Sequence, residues 1–409
     1  MGGGKMDIST KVSSGRMTPA KMAIYALIGV VLVISPILFE GFGLLFLTRI
    51  MALVGLYVML ALGLNIVVGF AGLLDLGYIA FYAIGAYSGV IVGTVAIKFM
   101  PMWLQPYTFF LMIPVAGAFA ALAGIMLGTP VLRLRGDYLA IVTLGFGEIV
   151  RIIINNNAFG ITNGAAGLPR AGENLPLPAG LEWLQNNVFF TIPNLGANGF
   201  NFMFSNNLYW YYIIVLLCLA AIFVVRRLND SRLGRSWVAM REDEVAAASM
   251  GVSITGAKLW AFSLGAVWGG IAGLTFANFQ QFVSPESFTF MESVFVVCTV
   301  VIGGMGSIPG AIVGALLIQG TPELIRGFAA SGIIPGLSGE QVTAISNYRN
   351  LVFGFGMVLM MVWRPQGLIP SKRRAAELQP ETDELGDIES EQLYDAQHRT
   401  GLPGDDSEH

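Results

Sequence analysis

Residues 44–69 read LLFLTRIMALVGLYVMLALGLNIVVG, and this stretch decides the kind of fold. It carries a single charged residue, Arg49, close to one end. An α-helix rises about 1.5 Å per residue, so a stretch of this length can cross a hydrocarbon core of about 30 Å. The stretch therefore predicts a transmembrane helix.

The composition of the whole chain agrees with that prediction. Of the 409 residues, 55% are hydrophobic and 12% are charged, and the mean hydropathy is +0.68. Soluble proteins carry roughly 25% charged residues. A soluble fold of this size would need far more polar surface, so the composition predicts a polytopic membrane protein.

Apolar segments of about spanning length follow one another along the chain. Backbone groups in lipid must pair within a segment, and the sequence lacks the alternating pattern of a barrel, so these segments should be helices. We expect an all-α polytopic integral membrane protein with about ten transmembrane helices, within a range of eight to ten, several of them short or broken by glycine. The predicted spans are 20–39, 44–69, 74–98, 107–128, 137–154, 207–225, 257–281, 288–303, 308–326 and 350–364.

The distribution of Lys and Arg orients these spans. The main basic loops fall on one side when both termini are cytoplasmic, as the positive-inside rule requires. The first apolar run is then an uncleaved span, because no small-residue cleavage site follows it. The expected organisation is a cytoplasmic leader at 1–19, a transmembrane domain at 20–370 with an external loop at 155–206 and a cytoplasmic loop at 226–256, and an acidic, disordered cytoplasmic tail at 371–409.

Motifs for enzymatic chemistry are absent from the sequence. It contains no GxxxxGK[ST], GxSxG or HExxH and no paired CxxC, so we expect no enzymatic activity and no ATP hydrolysis by this chain alone. The two cysteines lie in apolar runs and both histidines lie in the tail, which argues against a disulfide framework or a bound metal. We expect no cofactor on this chain.

Polar and glycine residues inside the predicted spans are candidates for a translocation path, because buried ionisable groups in lipid are costly. Each also has a structural interpretation. Asp75 would cap a helix broken at Gly69 or Gly72, Glu148 would pair with Arg151 three residues later, and Glu292 would be interfacial. The candidate path residues are Asn65, Asp75, Glu148, Gly303 and Gly304.

Glycine spacing indicates close helix packing. The rows Gly85–Gly89–Gly93 and Gly265–Gly269–Gly273 repeat every four residues, and such ridges let helices approach closely. The run VIGGMGSIPGAIVG at 301–314 breaks an apolar segment into two halves. It predicts either a broken helix beside a cavity or a plain tight hairpin.

The segment 226–251, RRLNDSRLGRSWVAMREDEVAAASMG, gathers much of the charge of an otherwise apolar chain. Its first arginines serve as an orientation signal. Ser236, or Asp230–Ser231, could start one short helix, the acids 242–244 could open a second, and Gly251 would end it. A short amphipathic helix with a compact charge pattern is suited to dock in a cleft of another protein.

At these residues the sequence resembles the EAA-type coupling loop of bacterial ABC importer permeases, although the acid falls one place early, at Glu244. The closer resemblance is to the longer permease of the branched-chain amino acid permease family, over roughly 20–371. It is carried by ALGLNIVVGFAGLLDLGYIAFYAIGAY (61–87), LRGDYLAIVTLGFGEIVRIIINN (134–156), NGAAGLP (163–169), WVAMREDEVAAASMG (237–251), VIGGMGSIPGAIVGALL (301–317) and LVFGFGMVLMMVWRPQGLIP (351–370).

The resemblance implies an inner-membrane transport subunit with several partners: a homologous second permease, two cytoplasmic ATPases that use ATP, and a periplasmic substrate-binding protein received by the external loop. It implies Leu, Ile and Val as substrates, with urea, short amides or other amino acids as alternatives. An ion-coupled secondary transporter and a channel are the competing classes. The implied ATPase-coupling residues are Arg241, Glu242, Asp243, Glu244, Ala246, Ala247 and Gly251.

Overall fold

The computed structural model describes residues 19–131, 137–157, 160–169, 189–192, 200–203, 205–330, 349–364 and 367–370. The predicted leader up to residue 18, most of the predicted external loop and the predicted acidic tail lie outside these residues.

Every predicted span coincides with a helix, so the all-α polytopic class is confirmed. Among the residues whose side chains are described, seven helical stretches can cross a membrane by length and composition, and two apolar stretches, Gly29–Gly41 and Phe290–Gly303, are shorter. The helices are α1 (Pro19–Gly41), α2 (Leu45–Leu64, continued by a π-helical turn Asn65–Phe70), α3 (Ile79–Phe99), α4 (Thr108–Val131), α5 (Asp137–Asn155), α6 (Asn206–Asn229), α7 (Arg232–Glu242), α8 (Glu244–Ser249), α9 (Ile254–Gln280), α10 (Phe290–Gly303), α11 (Ile308–Ala315, continued by a π-helical turn Leu316–Gly320), α12 (Thr321–Ala330) and α13 (Arg349–Trp363).

Strand structure in the described residues is limited to two short antiparallel pairs. Leu168–Pro169 pairs with Phe282–Val283, and Phe189–Ile192 pairs with Phe200–Met203. Both pairs include residues of the predicted external loop, so that loop contributes β-structure where it is described.

Helix α9 lies at the centre of the bundle, against α2, α3 and α4. The predicted glycine ridges make these contacts, since a Cβ on Gly85 would lie 2.1 Å from the carbonyl oxygen of Gly270. A Cβ on Gly273 would likewise lie 2.0 Å from the carbonyl oxygen of Tyr82. The contacts also give direction, because a Cβ on Gly269 would lie 3.1 Å from Phe81 Cβ and a Cβ on Gly89 would lie 2.4 Å from Leu274 Cδ1, so later residues of α3 face later residues of α9. These two helices therefore run parallel.

Two irregular segments enter the bundle at places where hydropathy predicted only short connections between spans. The first, 71–78, separates the π-helical turn from α3, so the predicted span at 74–98 begins as a helix only at Ile79. The second, 281–289, leads from α9 back to the start of α10. The first segment contacts the start of α10, where Ser293 Oγ donates a hydrogen bond of 2.6 Å to the carbonyl of Leu76.

Helix α1 is held to the bundle through its own backbone. Pro36 lies inside α1 and has no N–H, so the carbonyl of Leu32 lacks its usual helical donor. Tyr211 of α6 donates to that carbonyl at 2.9 Å, and Tyr212 donates to the carbonyl of Val33 at 2.9 Å. The bond from Tyr211 satisfies a backbone group that lipid could not. An apolar crevice of about 480 Å³ remains between α1, α2, α6 and α11.

Candidate functional site

The predicted coupling segment folds as two short helices, α7 and α8. Ser231 caps α7 by accepting a hydrogen bond of 3.2 Å from the Gly234 N–H, which selects Asp230–Ser231 over Ser236 as its start. The inward face of α7 carries Trp237, which is fully buried and donates from Nε1 to the carbonyl of Ala257 at 2.8 Å. This bond fixes α7 against the first turn of α9.

Asp243 divides the two helices and opens the second. Its carboxylate accepts hydrogen bonds from the N–H groups of Val245 at 2.7 Å and Ala246 at 3.0 Å, as the sequence predicted for this acidic run. Gly251 ends the helix region with a φ of +85°, a left-handed conformation that favours glycine. The exposed surface of α8 and the turn after it includes Val245, which is 64% exposed, and Met250, which is 86% exposed.

Two of the predicted coupling residues face the membrane bundle instead of solvent. Glu244 forms an ion pair of 2.7 Å with the buried Lys258 of α9. Arg241 donates from Nη1 to the carbonyl of Gly69 at 2.8 Å. Its side chain also fills the space beside Gly72, where a Cβ would lie 2.7 Å from Arg241 Cγ. The loop is thus attached to α9 and to the end of the α2 span.

The remaining predicted coupling residues differ in their exposure to solvent. Glu242, Asp243, Ala246 and Gly251 are exposed, and Ala247 is buried beneath α8. The four exposed residues form a small surface over the contacts that attach the loop to the bundle.

Asn65, Gly303 and Gly304 lie together close to this attachment. Asn65 is fully buried, and its Oδ1 accepts a hydrogen bond of 2.8 Å from the Gly306 N–H. Gly304 has a φ of +121°, and a Cβ there would lie 2.6 Å from the carbonyl oxygen of Ile369. The glycine run is therefore a tight hairpin between α10 and α11, the second of the two predicted alternatives. Both Gly303 and Gly304 are buried.

These contacts form one connected chain of residues. Arg241 binds the carbonyl of Gly69, and a Cβ on Gly69 would lie 2.0 Å from Asn65 Oδ1 and 2.6 Å from the Gly306 nitrogen. The α10–α11 hairpin is bound in turn by Ile369, whose N–H donates to the carbonyl of Gly303 at 3.0 Å. A displacement of α7 would thus reach the hairpin through packed groups.

Asp75 and Glu148 lie elsewhere, and each makes local contacts. Asp75 is fully buried, and its Oδ1 accepts from the Gly77 N–H at 2.8 Å. It shapes the turn before α3 and does not occupy the N-cap position, which belongs to Tyr78. Glu148 forms the predicted pair with Arg151, at 2.5 Å between Oε1 and Nη2.

One polar pair lies at a depth that the sequence did not indicate. Glu292, predicted to be interfacial, accepts a short hydrogen bond from the hydroxyl of Tyr57, 235 residues away in sequence. Tyr57 lies near the middle of the span Leu45–Phe70. Segment 281–289 turns back into the bundle before α10 begins, which brings Glu292 beside Tyr57. A tyrosine in the middle of an apolar span was the only local signal.

The described part of the chain was compared with the ligand sets that hold metal ions. No group of three or more His, Cys, Asp or Glu side chains there is placed to hold an ion. The polar side chains described above bond to the backbone or to one another.

The fold and these contacts define a class: a multi-pass α-helical membrane protein with a charged two-helix loop attached to its transmembrane bundle. The family model described as "Branched-chain amino acid transport system / permease component" matches residues 46–361. The chain belongs to this family, which confirms the resemblance seen in the sequence and identifies a transport component.

Individual relatives agree with this assignment. The Escherichia coli protein named high-affinity branched-chain amino acid transport system permease protein LivM is 44% identical over 325 residues, covering 78% of this chain and 68% of LivM. The Escherichia coli permease protein LivH is 27% identical over 158 residues, covering 39% of this chain and 46% of LivH. The Yersinia pseudotuberculosis autoinducer 2 import system permease protein LsrC is 27% identical over 147 residues, covering 35% and 37%. No solved structure matches the chain.

Proposed function

We propose that this chain is a transmembrane permease subunit of an ATP-binding-cassette importer that moves branched-chain amino acids across the bacterial inner membrane, with both termini in the cytoplasm. The observation that carries the proposal is the two-helix loop α7–α8. It exposes a compact surface to solvent and is attached beneath to α9 and to the end of the α2 span through Glu244 and Arg241.

The substrate is proposed from the relatives. A permease named for autoinducer 2 import also resembles this chain, so resemblance to a permease alone does not decide the substrate. The identity to LivM is 44% and extends over most of both chains, whereas the identity to LsrC is 27% over about a third. This difference favours Leu, Ile and Val over urea, short amides or other amino acids.

The partners follow from what the chain contains and lacks. The sequence has no phosphate-binding GxxxxGK[ST], so separate ATPase subunits would supply ATP hydrolysis. Two permease proteins named for the same Escherichia coli transport system both resemble this chain, which supports a homologous second permease as a partner. A periplasmic substrate-binding protein would deliver the amino acid.

The contacts suggest how force would pass through the subunit. Closure of the ATPases on ATP would push the exposed surface of α8. Because Arg241 and Glu244 attach that surface to the bundle, the motion would reach the Gly69 region and then the α10–α11 hairpin through Asn65. Such a rigid-body step can switch the side from which the passage opens.

Reconstitution tests the proposal. The chain, the second permease, the two ATPases and the binding protein would be assembled in liposomes, with ATP on the ATPase side. We expect leucine uptake that needs ATP and the binding protein. Urea and acetamide, each tested with a binding protein that captures it, provide the substrate comparison. Uptake by this chain alone under a proton or sodium gradient would instead support a secondary transporter and overturn the proposal.

A further inference from the structure

The pair Tyr57–Glu292 lies halfway along the α2 span. Tyr57 is about 18–20 Å from either end of the stretch Leu45–Phe70, at about 1.5 Å per helical residue. Its hydroxyl donates to Glu292 Oε2, so this carboxyl group lies at mid-membrane depth. Ionisable groups at that depth are rare and usually face the bundle interior or a wet cavity.

The surroundings of Glu292 hold it in place. Phe288, four residues before it and ahead of α10, is 1% exposed and packs with its ring centroid 5.3 Å from that of Tyr82 and 6.2 Å from that of Phe276. The next residue, Ser293, is bonded to the carbonyl of Leu76. The start of α10 is therefore fixed on both sides.

Glu292 is nevertheless only half-buried. Within the described segments, its only side-chain hydrogen-bond partner is Tyr57, and no Lys or Arg lies within ion-pair distance of it. The residues before it, Phe290 and Met291, are 41% and 44% exposed. A charged group at the centre of a lipid-facing helix costs about 2.5–3.5 kcal/mol or more, so this surface should face a passage or another protein.

We propose that Glu292, oriented by Tyr57, binds the ammonium group of an amino acid as it crosses the membrane, while Phe290 and Met291 contact its apolar side chain. This inference rests on the proposed function and specifies the site within it. A carboxylate and an ammonium group form a strong charge-assisted hydrogen bond. An adaptable apolar surface of Phe and Met suits branched side chains of differing shape.

Substitutions in the reconstituted complex test the charge. Glu292→Gln keeps the size of the side chain and removes the charge, so leucine uptake per ATP hydrolysed should fall at least tenfold. Glu292→Asp should recover part of that loss. The matched control is Glu323→Gln, which removes a carboxylate that pairs with Arg326 on α12. The control should transport like the unaltered complex, and equal uptake by Glu292→Gln and the control would overturn the proposal.

A labelling experiment tests accessibility without relying on transport. In a background without Cys218 and Cys298, Glu292→Cys in the assembled complex should react with a membrane-impermeant cationic thiosulfonate, and leucine-loaded binding protein with ATP should slow the reaction. Absence of labelling both with and without ATP would overturn the proposal. So would failure of the second permease to co-purify with Glu292→Gln, because Glu292 would then be an interface residue. If the unaltered complex transports no amino acid while residue 292 is labelled, the proposed function fails separately.

Discussion

At the scale of single residues, the contact between Gly85 and Gly270 tests how closely α3 and α9 approach. Gly85→Ala would place a methyl group 2.1 Å from a backbone oxygen that cannot move without shifting α9. Overpacking of this kind typically costs about 1–3 kcal/mol. We expect a lower apparent Tm for the purified protein in detergent, measured by intrinsic fluorescence.

Gly145→Ala provides the matched control for that substitution. Gly145 also lies in a transmembrane helix, but nothing lies within 4 Å of a Cβ built there. Alanine favours a helix over glycine by about 1 kcal/mol, so this variant should keep or raise the Tm. Equal Tm values for the two variants would show that α3 and α9 are not in the contact described.

Single residues also show what local sequence patterns could not reveal about the site. The capping role of Asp243 and the pair Glu148–Arg151 depend on neighbours within three residues, and both were predicted. The acceptor of Arg241 is a backbone carbonyl 172 residues away, and the partner of Glu292 is 235 residues away. Such contacts depend on how the helices pack, which spacing along one segment does not encode.

At the scale of elements, α1 and α6 are coupled through the proline in α1. Tyr211→Phe removes the donor to the Leu32 carbonyl and should cost about 0.5–1.5 kcal/mol. Pro36→Ala would restore an N–H to that carbonyl within α1. In this background Tyr211→Phe should therefore cost much less. A double-mutant cycle on apparent Tm would measure the coupling between the two positions.

Tyr212→Phe is the control for this cycle. Tyr212 donates to the carbonyl of Val33, whose usual helical donor is the N–H of Ile37, so no proline removes it. Its effect on the Tm should be small and independent of Pro36→Ala. If Pro36→Ala leaves the cost of Tyr211→Phe unchanged, the hydroxyl does not compensate for the missing N–H.

Also at the scale of elements, the hydrogen bond between Arg241 of α7 and the Gly69 carbonyl at the end of the α2 span should affect coupling to the ATPases. Arg241→Met keeps an unbranched side chain beside Gly72 and removes the hydrogen bond to the Gly69 carbonyl. In the reconstituted importer, stimulation of ATPase activity by loaded binding protein should fall at least fivefold. Arg232→Met, at an exposed position of α7, removes the same charge and should keep the stimulation. A normal response in Arg241→Met would show that the coupling does not pass through this bond.

At the scale of the whole molecule, hydropathy located a helix at every predicted span, although only seven helical stretches of the described residues are long and apolar enough to cross a membrane. It predicted only short connections at 70–73 and 282–287, extended the neighbouring spans over the rest of 71–78 and 281–289, and did not indicate that these two segments enter the bundle. In the first, Gly72 has a φ of +70°, and Asp75 binds the Gly77 N–H in place of a helical partner. Hydropathy indicates whether a segment favours an apolar environment. It does not indicate which acceptor each backbone N–H of that segment binds.

The direction of the helices gives a prediction for the assembled protein in a membrane. Helices α3 and α9 run parallel, and Met102 follows the end of α3 while Met250 precedes the start of α9. The two methionines, each 86% exposed, should therefore lie on opposite sides of the membrane. From the excess of basic residues at 226–241 we expect Met250 on the cytoplasmic side. In a cysteine-free background, an impermeant maleimide should label Met102→Cys only in spheroplasts and Met250→Cys only in inverted vesicles. Labelling of both from one side would contradict the parallel arrangement, and the reverse pattern would contradict the orientation alone.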